Sequence, residues 1–227
     1  MAYRPTTQGL LLQMRVWDLP TRLFHWTLVL LLIGSYVTIK LDRLALHMLC
    51  GEAIAALLLW RLIWGLIGSD TSRFRSFLHS PIAAIQHLLH FHRREPDTQI
   101  GHNAAGGYMV FAMLGMLAAQ VITGMFGRND DDVVEGPLSK LINPDLSAKL
   151  MDTHFLIWTL IKLVVIAHIL AVIAYAVVKR HNLLSPMLTG KKRLPAATMA
   201  PRMAGTPLAA IVAVLAGIAV WVLVTRL

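Results

Sequence analysis

The sequence predicts an all-α, polytopic membrane protein with a four-helix transmembrane bundle and a fifth transmembrane helix at its C-terminal end. Of the 227 residues, 56% are hydrophobic and 15% are charged, and the mean hydropathy is +0.62. These values lie far from those of soluble proteins and indicate several membrane passages. Five apolar runs are long enough to cross a bilayer core of about 30 Å. They cover residues 23–39, 44–67, 104–126, 155–178 and 208–225.

The first transmembrane helix carries start signals before its apolar run. Pro20 suits the first turn of a helix, and Asp18 can cap that turn. Trp17 and Trp26 suit a membrane–water interface. These residues predict that the helix begins at the membrane surface, close to the run 23–39.

The charges between the apolar runs predict the orientation of the chain. Basic residues precede the first run and fill the linkers after the second and fourth runs; they are Arg4, Arg15, Arg22, Arg73, Arg75, Arg93, Arg94, Lys179, Arg180, Lys191, Lys192, Arg193 and Arg202. The linker after the third run is acidic, with Asp130, Asp131, Asp132, Glu135, Asp145 and Asp152. Because cytoplasmic loops are enriched in Lys and Arg, we expect a cytoplasmic N-terminus, an external acidic linker and an external C-terminus.

Two segments between the runs have a distinct character. Residues 73–94 place apolar side chains at roughly helical spacing among arginines and histidines, which predicts an amphipathic helix on the cytoplasmic membrane surface. Residues 193–206 are basic and rich in proline, which predicts an extended linker. The predicted organisation is a membrane domain over residues 1–192, the linker 193–206 and a last transmembrane helix over 207–227.

The composition excludes several classes of function. The formal charge of +9 suits nucleic acid in general, but the basic residues lie mainly between apolar runs, where they orient helices. We therefore expect no nucleic-acid partner. Cys50 is the only cysteine, which excludes disulfides within the chain, zinc clusters and cysteine-ligated iron–sulfur centres.

Four histidines sort into two levels of the predicted membrane domain. His154 and His168 share the fourth apolar helix, 14 positions apart. At about 100° and 1.5 Å per residue, they lie on one helix face about 21 Å apart. The predicted topology places His47 beside His154 at the outer level and His25 beside His168 at the inner level.

This arrangement predicts two haem sites. A neutral imidazole is an iron ligand, and haem iron takes an axial ligand on each side. The pairs His25/His168 and His47/His154 would therefore each hold one haem if the four helices form a bundle. The alternative for any single histidine near the end of a span is an anchor at the interface, and this alternative is weakest for His168, which lies well inside its span.

Other polar residues give less specific signals. Arg22 and Arg61 are candidates for contacts with haem propionates at the inner level, and Arg61 could instead extend its side chain to the membrane surface. Glu52 and Lys162 lie in helices that run in the same direction, and three alternatives stay open for them: a buried ion pair, a proton- or quinone-binding group, or a lysine that extends towards the interface. His102, just before the third run, is assigned to a helix cap or to the interface. The other histidines are assigned to solvated or headgroup-facing roles; they are His79, His87, His90, His92 and His181.

An ordered set of motifs carries a family resemblance over about residues 14–192. The motifs are Val16 to Trp26, Leu46-His47 with Gly51, Arg61 to Gly65 with Gly68, Arg73-Phe74, Gly101 to Asn103 with Gly106-Gly107, Gln120 with Thr123-Gly124, His154 with His168, and Met187 with Thr189 to Lys191. This set resembles bacterial cytochrome b561 and the b-type cytochrome subunits of nickel–iron hydrogenases. The chain departs from the family pattern at Phe155, where an acidic residue is expected, and at Trp158 and Lys162.

The resemblance implies a di-haem membrane cytochrome of the bacterial inner membrane. Its two haems b would have His25, His47, His154 and His168 as axial ligands. Members pass electrons between the quinone pool and a partner redox protein, such as a periplasmic c-type cytochrome, a dehydrogenase or a hydrogenase. The acidic external linker would suit a basic soluble carrier. The fifth helix lies outside the shared core and is expected to bind a partner.

Two other functions stay open at this stage. The resemblance to cytochrome b561 also allows a small enzyme, a superoxide:quinone oxidoreductase that acts at the outer face. A third interpretation is a membrane anchor subunit of a larger redox complex. The chain could therefore act alone or as the electron-transfer subunit of a quinone-linked oxidoreductase.

Overall fold

The computed structural model describes residues 10–93, 96–129 and 134–226. Its helices, in chain order, are α1 Leu19–Lys40, α2 Leu44–Ile67, α3 Pro81–Leu89, α4 Ala104–Phe126, α5 Pro144–Ala174, α6 Leu184–Thr189 and α7 Thr206–Arg226. Its strands are β1 Leu11–Arg15, β2 Arg128–Asn129, β3 Val134–Glu135 and β4 Lys191–Pro195. Arg4, Arg94 and Asp130 to Asp132, which enter the predicted orientation, lie outside the described residues.

Five helices are long and apolar enough to cross a membrane, which confirms the predicted polytopic all-α class. They are α1, α2, α4, α7 and the continuous segment Pro144–Lys179, in which a π-helical turn over Tyr175–Lys179 follows α5. The first span is longer than its apolar run. It begins at Leu19, because the Asp18 carboxylate accepts the Thr21 amide and Pro20 occupies the first turn.

The spanning helices alternate in direction between two faces of the bundle. We call the end where α1 begins the near face and the end where α1 finishes the far face. Close packing joins α1 with α2, α4 with α5, and α2 with both α4 and α7. A shared apolar core of Ile54, Leu58, Leu117 and Ile161 links α2, α4 and α5 between the two faces.

The segment predicted as one surface helix over 73–94 has a different structure. Only Pro81–Leu89 is α-helical, with the Ser80 hydroxyl accepting the Ala83 amide at its start. The preceding residues form two short 3-10 turns, Asp70–Ser72 and Phe74–Ser76, and Phe77 is almost fully buried. The prediction is too long because it counted buried aromatic side chains as part of an amphipathic face.

The last helix packs directly on the bundle. Trp60 and Trp64 of α2 form a core cluster with Ala209, Val212 and Ala216 of α7. The preceding linker begins as extended backbone, because its first residues belong to β4, which pairs antiparallel with β1. The backbone of Arg202 also bonds to Asp70, which holds the rest of the linker against the near face.

Trp60 gives a test of this attachment. Its indole Nε1 donates to the Ala209 carbonyl at 3.0 Å in a buried position. Trp60→Phe keeps the ring but removes the donor, and we expect it to destabilise the protein by about 1 kcal/mol in detergent unfolding. Trp221→Phe is the matched control, because Trp221 of α7 is 59% exposed. Equal effects of the two substitutions would contradict the assigned role of Trp60.

Asp18 is the centre of a buried hydrogen-bond network at the near face. One carboxylate oxygen accepts the Thr21 amide at 2.6 Å. The other accepts the Trp64 indole N–H at 3.3 Å and the Ser72 hydroxyl at 3.0 Å. The side chain is buried, so these contacts replace water and tie the start of α1 to the end of α2 and to the turn that follows it.

Candidate functional site

The structure brings His47 and His154 together near the far face. Their ring centroids lie 6.3 Å apart and their planes are almost perpendicular, at 82°. A first-row metal–imidazole bond is about 2 Å long, so two imidazoles on opposite sides of one metal ion have centroids roughly 6 Å apart. The spacing of the two rings therefore fits a single iron between them.

Hydrogen bonds set the orientation of both rings. His47 Nδ1 lies 2.9 Å from the Ser35 carbonyl oxygen and 3.0 Å from its hydroxyl. His154 Nδ1 lies 2.9 Å from the Gln120 carbonyl oxygen. A carbonyl can only accept, so Nδ1 is assigned as the protonated nitrogen in both rings. Each Nε2 then keeps its lone pair, which is the state that an iron ligand requires.

Gln120 is a residue of this site that the sequence did not single out as a site residue. Its side-chain Nε2 lies 3.0 Å from His154 Nε2 and can donate to it, while its Oε1 is buried and has no hydrogen-bond partner in the described part of the chain. A metal ion on His154 Nε2 would replace this donor. Gln120 therefore has to rotate when the site is loaded.

Gly124 leaves room for the His154 ring. A Cβ atom at this position would lie 2.8 Å from Cε1 and 3.0 Å from Nδ1 of His154. We expect Gly124→Ala to displace the imidazole and to weaken metal or haem binding at the far face, with a change in the optical spectrum of that site alone.

Gly115 of the same helix provides the control for Gly124. A Cβ atom at Gly115 would meet nothing within 4 Å. Gly115→Ala should therefore leave the spectrum unchanged, and its small gain in helix propensity matches that of Gly124→Ala. A Gly124→Ala protein with the wild-type spectrum would contradict the close contact with His154.

A second group of histidines lies near the near face. His25 of α1 and His168 of α5 are close enough to interact electrostatically. His102, just before α4, interacts with both of them and with Arg61. Burial lowers the pKa of His102 to about 3, with further lowering from the positive charge of Arg61 and from the two other histidines. His102 is thus neutral at physiological pH.

Buried polar atoms without hydrogen-bond partners concentrate around the near-face histidines. Four buried side-chain nitrogens lack a hydrogen-bond partner among the described residues; they are Arg22 Nε, His25 Nδ1, Arg61 Nη1 and His102 Nδ1. Buried polar groups normally have hydrogen-bond partners, so these four nitrogens are suited to bind a ligand beside the near-face histidines. Two guanidinium groups with free buried donors suit an anionic partner such as a carboxylate. This chemistry fits the propionates of a haem.

The two predicted arginines are held in place by different contacts. The Arg22 guanidinium donates to the Leu188 carbonyl at the end of α6. Arg61 is almost fully buried, and its Cζ lies 4.7 Å from the centroid of the Phe74 ring. Arg61 therefore does not extend to the membrane surface, which was one of its predicted roles, and its charge lies within the protein beside His102.

His102 was assigned an interface role from the sequence, and the structure places it inside. Its ring lies 4.8 Å from the ring of Trp17 and 4.8 Å from that of Phe77. The capping function belongs to its neighbour Asn103, whose side chain accepts the Gly106 amide. Only the position of His102 inside the motif Gly101 to Asn103 marked it in the sequence.

The residues that depart from the family pattern lie on the outside of the bundle. Phe155 is 56% exposed and packs edge-on against the His154 ring. Trp158 stacks on Tyr36 of α1, with ring centroids 5.3 Å apart. Glu52 and Lys162 form no ion pair; Lys162 Nζ instead lies 5.9 Å from the Trp158 ring. The ion-pair alternative for these two residues is therefore wrong in this conformation.

Two other histidines make specific contacts instead of facing solvent. His87 Nε2 hydrogen-bonds to the Tyr175 hydroxyl, which also accepts from Asn103 Nδ2 at 2.7 Å. His181 lies 3.9 Å from the Asp97 carboxylate. The contacts of Tyr175 tie α3 and the start of α4 to the π-helical turn that follows α5.

Comparisons with known proteins give one family and one related protein. The sequence profile of the family described as prokaryotic cytochrome b561 matches residues 16–190. A probable Ni/Fe-hydrogenase B-type cytochrome subunit of Bradyrhizobium diazoefficiens is 22% identical over 213 residues, covering 78% of this chain and 85% of the relative. No solved structure matches the chain.

Proposed function

Because the chain belongs to the prokaryotic cytochrome b561 family, we propose that it is a di-haem cytochrome b that carries electrons across the bacterial inner membrane. Its electrons would pass between the quinone pool and a partner redox protein. The observation that carries this proposal is the His47/His154 pair, whose ring spacing and Nδ1 hydrogen bonds suit two axial ligands of one iron.

The proposal assigns four ligands and two anion contacts. His47 and His154 would hold the haem b at the far face, and His25 and His168 the haem b at the near face. Arg22 and Arg61 would contact propionates there, since each has a buried nitrogen without a partner. Haem held by these two histidine pairs would supply one-electron transfer chemistry.

Residues around the proposed haem sites would orient the imidazole ligands, exclude water and provide positive charge. The Ser35 and Gln120 carbonyls hold the far-face imidazoles in one orientation. The apolar core of Ile54, Leu58, Leu117 and Ile161 excludes water between the two levels. The buried charge of Arg61 favours an added electron nearby, so it would raise the reduction potential of the near-face site.

The partner is proposed from the relative and from charge. The B. diazoefficiens relative is named as a hydrogenase subunit, which favours a redox enzyme as the partner of this chain. Under the predicted topology, the far face is periplasmic and the near face is cytoplasmic. The acidic linker between α4 and α5 would then face a periplasmic partner, either an enzyme subunit or a basic c-type cytochrome.

A reduction assay tests the function. The purified protein, loaded with haem, is mixed anaerobically with a soluble quinol analogue, and haem absorbance is followed in time. We expect the quinol to reduce the protein and an added oxidised c-type cytochrome to reoxidise it. Reduction by dithionite but by no quinol would contradict a role at the quinone pool. Rapid quinone-dependent consumption of superoxide would favour the oxidoreductase alternative instead.

A further inference from the structure

A basic pocket lies at the near face, away from both histidine pairs. Its volume is about 410 Å³, and it lies between the end of the last core helix and strand β4. Arg180 borders it at one side, directly after the spanning segment Pro144–Lys179. Lys191, Lys192 and Arg193 of β4 border it at the other side.

The positive charge of this pocket is only partly balanced from within. Lys192 Nζ donates to the Asp97 carboxylate at 2.6 Å and to the Gln99 carbonyl at 2.7 Å. Among the described residues, no carboxylate lies within ion-pair distance of Arg180, Lys191 or Arg193. Three cations thus border one pocket with their charge uncompensated, which favours an anionic ligand.

Hydrogen-bonding groups complete the lining. Ser185 and Thr189 of α6 border the pocket together with the cations. Guanidinium groups bind phosphate oxygens through paired N–H donors, and lysine and hydroxyl groups add single bonds. The donor set of this pocket therefore suits a phosphate better than a planar, neutral quinone ring.

The surroundings of the pocket indicate where the phosphate comes from. Leu184 and Leu188 lie one turn apart on α6, and they are 51% and 54% exposed. The spanning segment Pro144–Lys179 ends directly before Arg180, at the point where a spanning helix leaves the hydrocarbon region. Apolar side chains beside a basic pocket at this depth match the boundary between headgroups and acyl chains.

We propose that this pocket binds the phosphate of an anionic phospholipid headgroup, with Arg180 and Arg193 as its main contacts. The acyl chains of the lipid would lie along Leu184 and Leu188. Because Arg22 donates to the Leu188 carbonyl on the same short helix, a lipid at this site would also fix the position of α6 beside the near-face histidines.

The test measures lipid binding by the full chain in detergent. Phosphatidylglycerol is titrated and the one-lipid complex is quantified by native mass spectrometry. The double variant Arg180→Asn/Arg193→Gln removes both guanidinium groups; asparagine is chosen because residue 180 has a φ of 58°, which asparagine tolerates. We expect the double variant to bind the lipid about tenfold more weakly, as the loss of charged hydrogen bonds requires.

The control removes the same charge outside the pocket. Arg75→Gln/Arg202→Gln changes two exposed arginines of the near face, and it should bind the lipid as the wild type does. Equal affinities of the pocket variant and this control would overturn the proposal. Displacement of the lipid by an equal concentration of inorganic phosphate would contradict the proposal that the bound phosphate belongs to a lipid. The ligand of the pocket would then be a soluble phosphate.

A third variant tests the pocket if the double variant does not fold. Lys191→Gln changes one exposed cation of the pocket and leaves the arginines in place. It should weaken phosphatidylglycerol binding about threefold with an unchanged circular dichroism spectrum. Wild-type affinity in this variant, together with failure of the double variant to fold, would also count against the pocket.

Discussion

Replacing either His47 or His154 with alanine should remove the same one of two haems. Under the proposed assignment, each imidazole would contribute one ligand to the haem at the far face, and alanine would leave that position without a ligand. The reduced-minus-oxidised spectrum of the two variants should therefore coincide and should retain the signal of the near-face haem. His25→Ala and His168→Ala should remove the other signal instead. The measurement is the spectrum combined with a redox titration of each variant.

The control for these ligand variants is His92→Ala, because His92 is exposed at the near face. It should retain both haem signals. Added imidazole should partly restore the missing signal in His154→Ala, since a free imidazole can enter the space left by the side chain. Loss of different haems in His47→Ala and His154→Ala would contradict the pairing across α2 and α5.

Asp18→Asn is expected to be the most destabilising single substitution outside the haem ligands. The Asp18 carboxylate accepts three hydrogen bonds in a buried position, from the Thr21 amide, the Trp64 indole and the Ser72 hydroxyl. Asparagine keeps the shape but turns one acceptor into a donor, so at least one buried donor loses its partner. We expect a loss of about 3 kcal/mol in the free energy of unfolding.

The measurement for Asp18 is unfolding in mixed micelles, followed by circular dichroism. Asp42→Asn is the matched control, because Asp42 is exposed in the turn between α1 and α2. Its φ of 56° is also tolerated by asparagine. If Asp42→Asn loses as much stability as Asp18→Asn, the hydrogen-bond network of Asp18 is not the cause of the loss.

The proximity of His47 and His154 could be predicted from the topology together with the family resemblance. Alternating helices place His47 and His154 at one depth, and the structure brings their rings to 6.3 Å. The N-terminal cap by Asp18 could also be predicted, since Asp18 and Pro20 start the helix through contacts within one turn of the chain. The assignment of all four histidines as haem ligands, and the propionate contacts of Arg22 and Arg61, stay predictions that the haem spectra will test.

Other features depend on contacts that a linear pattern does not reveal. Phe77 was counted among the apolar side chains of the predicted amphipathic helix over 73–94. In the structure it packs on Phe111 of α4 and on His102. The attachment of α7 through Trp60 could not be predicted because α7 is apolar on every side, so its sequence pattern does not mark the face that packs on α2. The role of Gln120 beside His154 depends on the packing of α4 on α5, which spacing along one helix does not specify.

The departures from the family pattern have a structural consequence at the far face. Phe155 replaces an expected charge with an exposed apolar ring against His154, and the Tyr36–Trp158 stack joins α1 to α5. A partner or a quinone that approaches the far-face site would meet an aromatic surface there.

The central claim is that four histidines of one chain hold two haems b. The most direct test is the haem content of the purified wild-type protein, measured by the pyridine haemochrome method against the protein concentration from amino-acid analysis. The account predicts two haems b per chain, both low-spin. A protein saturated with haem that holds one haem per chain, or none, would contradict it.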